Sequence, residues 1–364
     1  FIMIKKFIFL IASFISLAAF SQEPIRGVWI TNTGSTVLNS RQQIRDAVMQ
    51  CKDQGLTDLF MVVWNNGKTM FPSQVMEQYV KQAQDPVFKG RDPLQEMIEE
   101  AHAVGLRVHA WMEFGFSYSY KDSLSVWNKT YPGWAGRNAK GHLLQKNGFY
   151  WWNALHPGPR QFLKELVEEI VMRYDIDGIQ GDDRLPAMPS EGGYESETVH
   201  AYGNQGGDQL GALDPKQENW VQWRADKLSA FGQEIYQLVK SHKATCLVTW
   251  SPSIYPWSKQ EYLQDWPTWL RDGYADYIFP QLYRYNADAY EKLLQELNQQ
   301  LTADQRRKVF PGVLTSLGDG YQASRILLNR FIELNRSYGY NGEVFFYYET
   351  LNRLSGSLYS ETTK

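Results

Sequence analysis

Cysteine is nearly absent: the 364 residues contain two, Cys51 and Cys246. Two thiols cannot make a disulfide scaffold, and they read as small buried hydrophobes. Histidine is also sparse, at six residues with no HxH or HExxH pair among them, so the spacing of a zinc hydrolase is missing. No GxSxG elbow supports an esterase, and no Gly-rich phosphate loop follows an early strand as in a dinucleotide-binding sheet. Charge of one sign is lacking too. A formal net charge of −3 gives no footprint for nucleic acid or an anionic membrane. Past the first twenty residues no run of about 18 apolar residues occurs, so the remainder is expected to have no membrane span.

What is present begins with an export signal. Met3 is the expected start, with Phe1 and Ile2 read as an over-extended reading frame. Lys5 and Lys6 form a positive segment, Phe7 to Ala19 an apolar one, and Ala19-Phe20-Ser21 a small-residue cleavage site. Residues 1–21 are therefore expected to be a cleaved signal peptide, with the protein secreted or periplasmic from Gln22 onward. Residues 22–364 read as one domain, acting as a monomer.

From Arg26 onward short apolar runs alternate with amphipathic stretches. Eight strands are predicted: Gly27–Thr31, Asp58–Trp64, Arg107–Glu113, Gly178–Asp182, Thr245–Ser251, Tyr277–Tyr283, Lys308–Leu314 and Glu343–Tyr348. Helical periodicity fills the gaps, as in 42–54, 93–104, 160–174, 220–240 and 287–301. Asp92 caps a helix opened by Pro93, and Gly55 and Gly105 stand where helices should end. Eight uninterrupted βα units predict an α/β fold, the (β/α)8 TIM barrel, with long loops after strands 3 and 4. Loops of that length at the C-terminal face of a barrel are expected to shape a cleft.

Side chains alternate faces along a strand, so parity converts the runs into geometry. Arg107, His109, Trp111 and Glu113 share the face opposite Val108, Ala110 and Met112. If the apolar set faces the helices, Glu113 points into the barrel mouth. The same parity aims Gln180 and Asp182, then Gln281 and Tyr283, at the same place. Glu113 and Asp182 are the candidate catalytic carboxylates. Asp183 beside them either caps a turn, pairs with Arg184 at the surface, or joins the pair. An inward carboxylate at a barrel mouth needs partners to stay charged. Two of them suit glycoside hydrolysis, where one protonates the leaving oxygen and the other attacks the sugar or activates water. Asp182 is assigned as nucleophile or base and Glu113 as general acid.

Aromatic residues make up 15% of the chain, with 13 Trp and 22 Tyr, and such rings suit sugars that present both CH faces and hydroxyls. Candidate substrate contacts are Trp29, His109, Trp111, Gln180, Gln281, Tyr283 and Glu349. Trp151 or Trp152, and then Trp257, are expected to offer a ring face to the sugar. No metal and no cofactor is expected, and the partner is a carbohydrate. A non-catalytic glycan-binding barrel of a surface or periplasmic uptake system is the alternative. A metal-dependent deacetylase is a third reading, weakened by the missing ligand spacing.

The stretch from Tyr174 to Asp183 reads YDxDGIxxDD and resembles the glycosyl-hydrolase-like 10 proteins, a bacterial family. Further blocks agree in order: Arg26-Gly27-Val28-Trp29, Asp92-Pro93-Leu94, Glu100-Ala101-His102, His109-Ala110-Trp111 and Trp220 to Ala225. Ser251-Pro252, Gln264-Asp265-Trp266 with Trp269, Asp276-Tyr277-Ile278 and Pro280 to Tyr283 complete the set. The resemblance implies a TIM barrel, glycan hydrolysis outside the cytoplasm, and Asp182 with Asp183 as the acidic pair of the fourth strand. Where much of the family reads HAWxNP, this chain reads His109-Ala110-Trp111-Met112-Glu113-Phe114, like a subgroup with WxEF. That departure supplies a second inward acid in place of an amide.

Overall fold

The computed structural model describes residues 24–205, 214–318 and 320–359; the expected signal peptide, 1–21, lies outside them. Eight parallel strands form one sheet: β1 (Arg26–Ile30), β2 (Asp58–Val62), β3 (Arg107–Met112), β4 (Gly178–Gly181), β5 (Leu247–Trp250), β6 (Tyr277–Ile278), β7 (Gly312–Leu314) and β8 (Glu343–Phe346). Their hydrogen-bonded order is β6-β5-β4-β3-β2-β1-β8-β7. Parallel bridges from Ile278 to Val309 and from Gln281 to Gly312 join the two ends. The sheet thus curls into the predicted (β/α)8 barrel.

All eight strands occupy predicted segments, but several are shorter at their C-terminal ends. β6 was expected to run to Tyr283 and pairs regularly only to Ile278. Pro280 has no N–H to give the ladder. The chain continues instead through single bonds, Gly312 N to Pro280 O at 2.8 Å and Leu282 N to Gly312 O at 3.0 Å.

The surrounding helices are α1 (Arg41–Asp53), α2 (Pro93–Ala103), α3 (Pro157–Arg173), α4 (Glu218–His242), α5 (Trp266–Arg271), α6 (Ala287–Gln300), α7 (Arg325–Ser337) and α8 (Tyr348–Leu351). Asp92 caps α2 by accepting from Gln95 N at 3.1 Å, ahead of Pro93. Gly55 and Gly105 adopt the left-handed conformation just past α1 and α2, as expected of helix ends. Cys51 and Cys246 are both buried and unpaired.

The barrel interior is filled by inward residues of neighbouring and opposite strands. Phe60 stacks on His109 at 4.4 Å between ring centroids, and Phe279 meets Phe60 edge-on at 5.2 Å. Gly178 makes that layer possible, because a Cβ there would lie 2.2 Å from His109 Nδ1. Lower in the barrel, buried Asp58 receives both Arg107 Nε and Nη2 at 2.8 Å and His109 Nε2 at 2.8 Å. Asp177, at the start of β4, accepts from Val108 N at 2.8 Å and pairs with His102, which makes it a loop anchor on the stability face. The long connection after β3 carries a small antiparallel sheet of Ser117–Tyr120, Gln145–Lys146 and Phe149–Trp151. No helix among the described residues is long and apolar enough to cross a membrane.

Burial works to raise the Asp58 pKa, but the bonds from His109 and Arg107 outweigh it and hold the carboxyl below its usual range. A depressed carboxylate contributes stability above its unfolded pKa and loses it as pH falls through the folded one. Asp58→Ala is expected to cost about 3–5 kcal/mol at neutral pH, because it strands fully buried His109 and removes the bidentate partner of half-buried Arg107. Urea unfolding at about pH 7 and again at about pH 3 checks this, since the gap between wild type and variant should shrink in acid as Asp58 is protonated. A gap under about 1 kcal/mol at neutral pH would remove Asp58 as an anchor of the barrel.

Candidate active site

β3 and β4 end side by side, with Met112 opposite Gly181, so the next residues, Glu113 and Asp182, reach the same rim of the barrel. Asp182 is 3% exposed. Trp111 Nε1 donates to its Oδ2 at 3.0 Å, and Gln281 Nε2 donates to its Oδ1 at 2.9 Å. The backbone N–H of Asp183 closes onto Oδ1 in a short hydrogen bond. Gln264 Nε2 fixes the Asp182 carbonyl at 2.9 Å. Glu113 is held differently. Its Oε2 accepts from Asn65 Nδ2 at 2.7 Å and from Thr31 Oγ1 at 3.1 Å, while Oε1 faces the guanidinium of Arg184.

Arg184 is the hub. Its nitrogens lie 3.8 Å from Glu113 Oε1, 3.5 Å from Asp182 Oδ2 and 3.2 Å from Asp183 Oδ1. Its Nε donates to the Glu113 carbonyl at 2.8 Å, and its plane packs 4.8 Å from the Phe149 ring. The sequence left Arg184 open as a surface partner of Asp183, whereas its side chain is only 14% exposed. Burial works to lower the Arg184 pKa, but Asp183, Asp182 and Glu113 outweigh it and keep the group fully charged. Burial pushes Glu113 up from the ordinary carboxylate range, and Arg184 pulls it back in part. Asp182 is raised further, by burial first and then by the adjacent Asp183 charge. Three acids against one cation cannot all ionise at low cost, so this cluster holds a proton at pH values where free carboxyls have lost theirs.

The pocket over this cluster has a volume of about 220 Å³ and is lined by Trp29, Trp111, Glu113, Asp182, Asp183, Arg184, Ser251, Gln281, Tyr283, Leu317 and Phe346. Burial and the nearby Asp182 charge push the Tyr283 hydroxyl well above its usual pKa, so it stays a neutral donor. Among the described residues no group of three His, Cys, Asp or Glu side chains is arranged to hold a metal ion. Arg184 occupies the point where these acids converge. A larger cavity of about 650 Å³ lies elsewhere, between Lys216, Gln222, Tyr255, Lys259 and Glu261. None of the three acids lines it, and its lysines are engaged by Glu261 at 2.5 Å and Asp265 at 3.0 Å.

The structure therefore brings together Trp29, Trp111, Glu113, Asp182, Asp183, Gln281 and Tyr283. The other expected contacts fall outside the pocket. His109 is fully buried one layer down, bound to Asp58 and out of reach of a ligand. Gln180 is also fully buried; it accepts from Trp29 Nε1 at 2.6 Å and so sets the tilt of that pocket wall. Trp151 and Trp152 are 2% and 1% exposed, and the expectation of an open ring face there is overturned. Trp152 fills a core of Trp64, Tyr118, Trp127 and Phe162, and Trp151 packs on Tyr262. As consecutive residues they point to opposite sides of the hairpin, and each side is covered. Trp257 is 44% exposed but leans on Tyr262 and does not line the pocket. Glu349 sits in α8, bonded to Asn352 and away from the acids.

Contributors that escaped the sequence reading include Asn65, Thr31, Ser251, Gln264, Leu317 and Phe346. Asn65 and Thr31 close the ends of predicted strands, where the barrel-mouth rule would have flagged them. Leu317 comes from the loop after β7, which no periodicity marks.

A family model described as glycosyl hydrolase-like 10 matches residues 24–323. A relative named "Glycosyl hydrolase YngK" from Bacillus subtilis is 25% identical over 313 residues, covering 75% of this chain and 57% of that protein. "Glycosyl hydrolase DigH" from Escherichia coli is 25% identical over 315 residues, covering 72% of this chain and 66% of that protein. The chain thus spans less than two thirds of the length of either relative. Among solved structures, the glycoside hydrolase domain of PgaB (BpsB) from Bordetella bronchiseptica superposes with a TM-score of 0.66 at 14% identity, over 89% of this chain and 94% of that one. An endo-1,4-β-mannanase from Thermotoga petrophila gives 0.54 at 11% identity, over 89% and 88%. These two share the fold.

Removing the hub tests the electrostatics of the site. In Arg184→Met the acids lose their counter-charge, so the folded-state pKa values of Glu113 and Asp182 rise further. A carboxyl raised above its unfolded value gives stability that is present below that value and lost as pH climbs through the folded pKa. The melting temperature of the variant should fall increasingly behind wild type from about pH 5 to about pH 8. A deficit that stays constant across that range would contradict the assignment of Arg184 as their counter-ion.

Proposed function

The chain belongs to the glycosyl hydrolase-like 10 family, and on that footing we propose that it is an exported glycoside hydrolase cleaving O-glycosidic bonds of a poly- or oligosaccharide with Glu113 and Asp182. The observation that carries the reading is the pair of raised carboxyls sharing one guanidinium at the barrel mouth. Because Glu113 Oε1 and Asp182 Oδ2 lie within 3.8 and 3.5 Å of the same nitrogen, they are no more than roughly 7 Å apart. That bound admits the ~5–5.5 Å of retaining pairs and excludes the wide end of the ~6.5–9.5 Å of inverting ones.

The roles follow from the partners. Four donors reach the Asp182 oxygens, an indole N–H, an amide NH2, a backbone N–H and a guanidinium, beside the Asp183 carboxyl, which raises Asp182. Those four donors favour the carboxylate and aim its lone pairs, as a nucleophile or base requires. Glu113 keeps Oε1 free of close donors; burial raises both acids, so the placement of donors, rather than the pKa order, assigns Glu113 as the general acid. Glu113 gives its proton to the glycosidic oxygen as the C–O bond breaks, while Asp182 attacks the anomeric carbon or draws a proton from water. Trp29, Trp111 and Phe346 supply apolar walls, and Gln281 and Tyr283 supply polar contacts. Export rests on the leader-like residues 1–21, and action as a monomer belongs to the same proposal.

The test is a panel of bacterial and host polysaccharides assayed for new reducing ends. On a cleaved glycan, Glu113→Gln and Asp182→Asn should each lose about 10²-fold or more of kcat/KM. Near-wild-type rates in both would remove this pair from the chemistry. Binding without product on every glycan would leave a carbohydrate-binding barrel instead.

Activity needs one carboxyl ionised and the other protonated. With both pKa values raised, the two limbs of the kcat/KM profile should lie above those of free carboxyls. Burial lifts Asp182 most and the Asp183 charge adds to it; Asp183→Asn removes that second part, so the acid limb should move to lower pH. An acid limb that stays in place would separate Asp183 from the titration.

A further inference from the structure

We infer that a second glycan-contacting surface starts at Phe149 and Tyr120 and carries sugar units of the substrate beyond the catalytic pocket. The inference rests on the glycoside hydrolase reading and extends it to the shape of the substrate, a chain long enough to leave the pocket. The catalytic pocket, at about 220 Å³, is smaller than the ~300–1,000 Å³ of sites that enclose a drug-sized ligand. A longer glycan must therefore leave it along a wall.

That wall is visible on the hairpin after β3. Tyr120 and Phe149 are direct cross-strand partners, with ring centroids 5.0 Å apart. Phe149 is half-buried: it meets Phe114 edge-on at 5.3 Å and lies 4.8 Å from the Arg184 guanidinium, which also pairs with the three acids. The apolar surface is thus continuous with the pocket through one side chain. Tyr120 stays 42% exposed with Lys121 Nζ 5.0 Å from its ring, and Leu124 and Val126 beyond it are 65% and 42% exposed. Aromatic and aliphatic side chains left open on one loop segment are the kind of surface that receives the CH faces of sugars.

Position supports the assignment as much as composition does. The tight hairpin Trp64–Thr69 holds both sites at once: Asn65 Nδ2 binds Glu113 Oε2 at 2.7 Å, and Asn66 Oδ1 accepts the Tyr120 backbone N–H at 2.9 Å. Gly67 at the turn adopts φ +73, and a Cβ there would lie 2.6 Å from the Tyr118 carbonyl. Two consecutive asparagines on a turn with little freedom therefore fix the spacing between the acid and the platform.

The test uses the Asp182→Asn protein, to prevent turnover, in native gels containing glucomannan, galactan, amylose or peptidoglycan glycan strands, with Kd read from mobility against glycan concentration. At least one gel should retard it. Adding Tyr120→Ala or Phe149→Ala should weaken that binding about 2- to 12-fold, and Tyr120→Trp should retain it. Because Phe149 packs on Phe114, its variant is judged only where its melting temperature matches the parent; exposed Tyr120 gives the readout regardless. Retardation in no gel, or equal retardation of both alanine variants, overturns the inference. If wild type releases reducing ends while retardation ignores Tyr120, the surface fails and the hydrolase reading stands. If no reducing ends appear but retardation depends on Tyr120, the hydrolase reading fails and the surface stands. A dimer in light scattering that Tyr120→Ala disperses would assign the patch to a second copy of the chain and overturn it as well.

Discussion

A single guanidinium, Arg184, stands between Glu113, Asp182 and Asp183, and much of the barrel mouth is arranged around that meeting of charges. Burying one acid is costly, and burying three together is more so unless a cation and directed hydrogen bonds accompany them. Each carboxyl accordingly has its own set of partners from a different part of the chain. Asp182 draws on β3, the β4 turn and the segment after β6; Glu113 draws on the ends of β1 and β2. The site thus depends on nearly the whole ring being closed, and the closure through Pro280 and Gly312 is part of what places Gln281.

The same logic separates anchors from actors among the polar residues of the interior. His109 and Asp58 lie on inward positions just as Glu113 does, yet they satisfy each other and Arg107 below the pocket floor. Gln180 spends its amide on Trp29 and Thr249. These groups hold the walls at fixed angles, and the groups above them remain available to a ligand. Depth along the strand, as well as parity, decides which inward residue can meet a substrate.

The eight strands, the helices between them and the inward aim of Glu113, Asp182, Gln281 and Tyr283 were legible in the sequence. Each depends on local periodicity or on a cap such as Asp92-Pro93, where neighbours along the chain suffice. The aromatics of the loop after β3 were not legible in the same way. Trp151, Trp152 and Phe149 are close in sequence, and their fates diverge because Trp152 meets Trp64 and Trp127, Trp151 meets Tyr262, and Phe149 stays half-buried at the hairpin's end. Composition marks such a stretch as rich in platforms without saying which rings remain open.

The sequence by itself determined the barrel, the order of its units and the end of the sheet to which its acids belong, because backbone periodicity and side-chain alternation are properties of short segments. Only the tertiary structure decided that Arg184 is enclosed by three carboxyls, that Asn65 and Thr31 hold Glu113, and that Trp151 and Trp152 are core. Those outcomes turn on groups far apart in the chain, from Thr31 to Gln281, whose distances exist only once the ring has closed. Burial, which sets both the pKa of an acid and the usefulness of an aromatic ring, is a property of that closure.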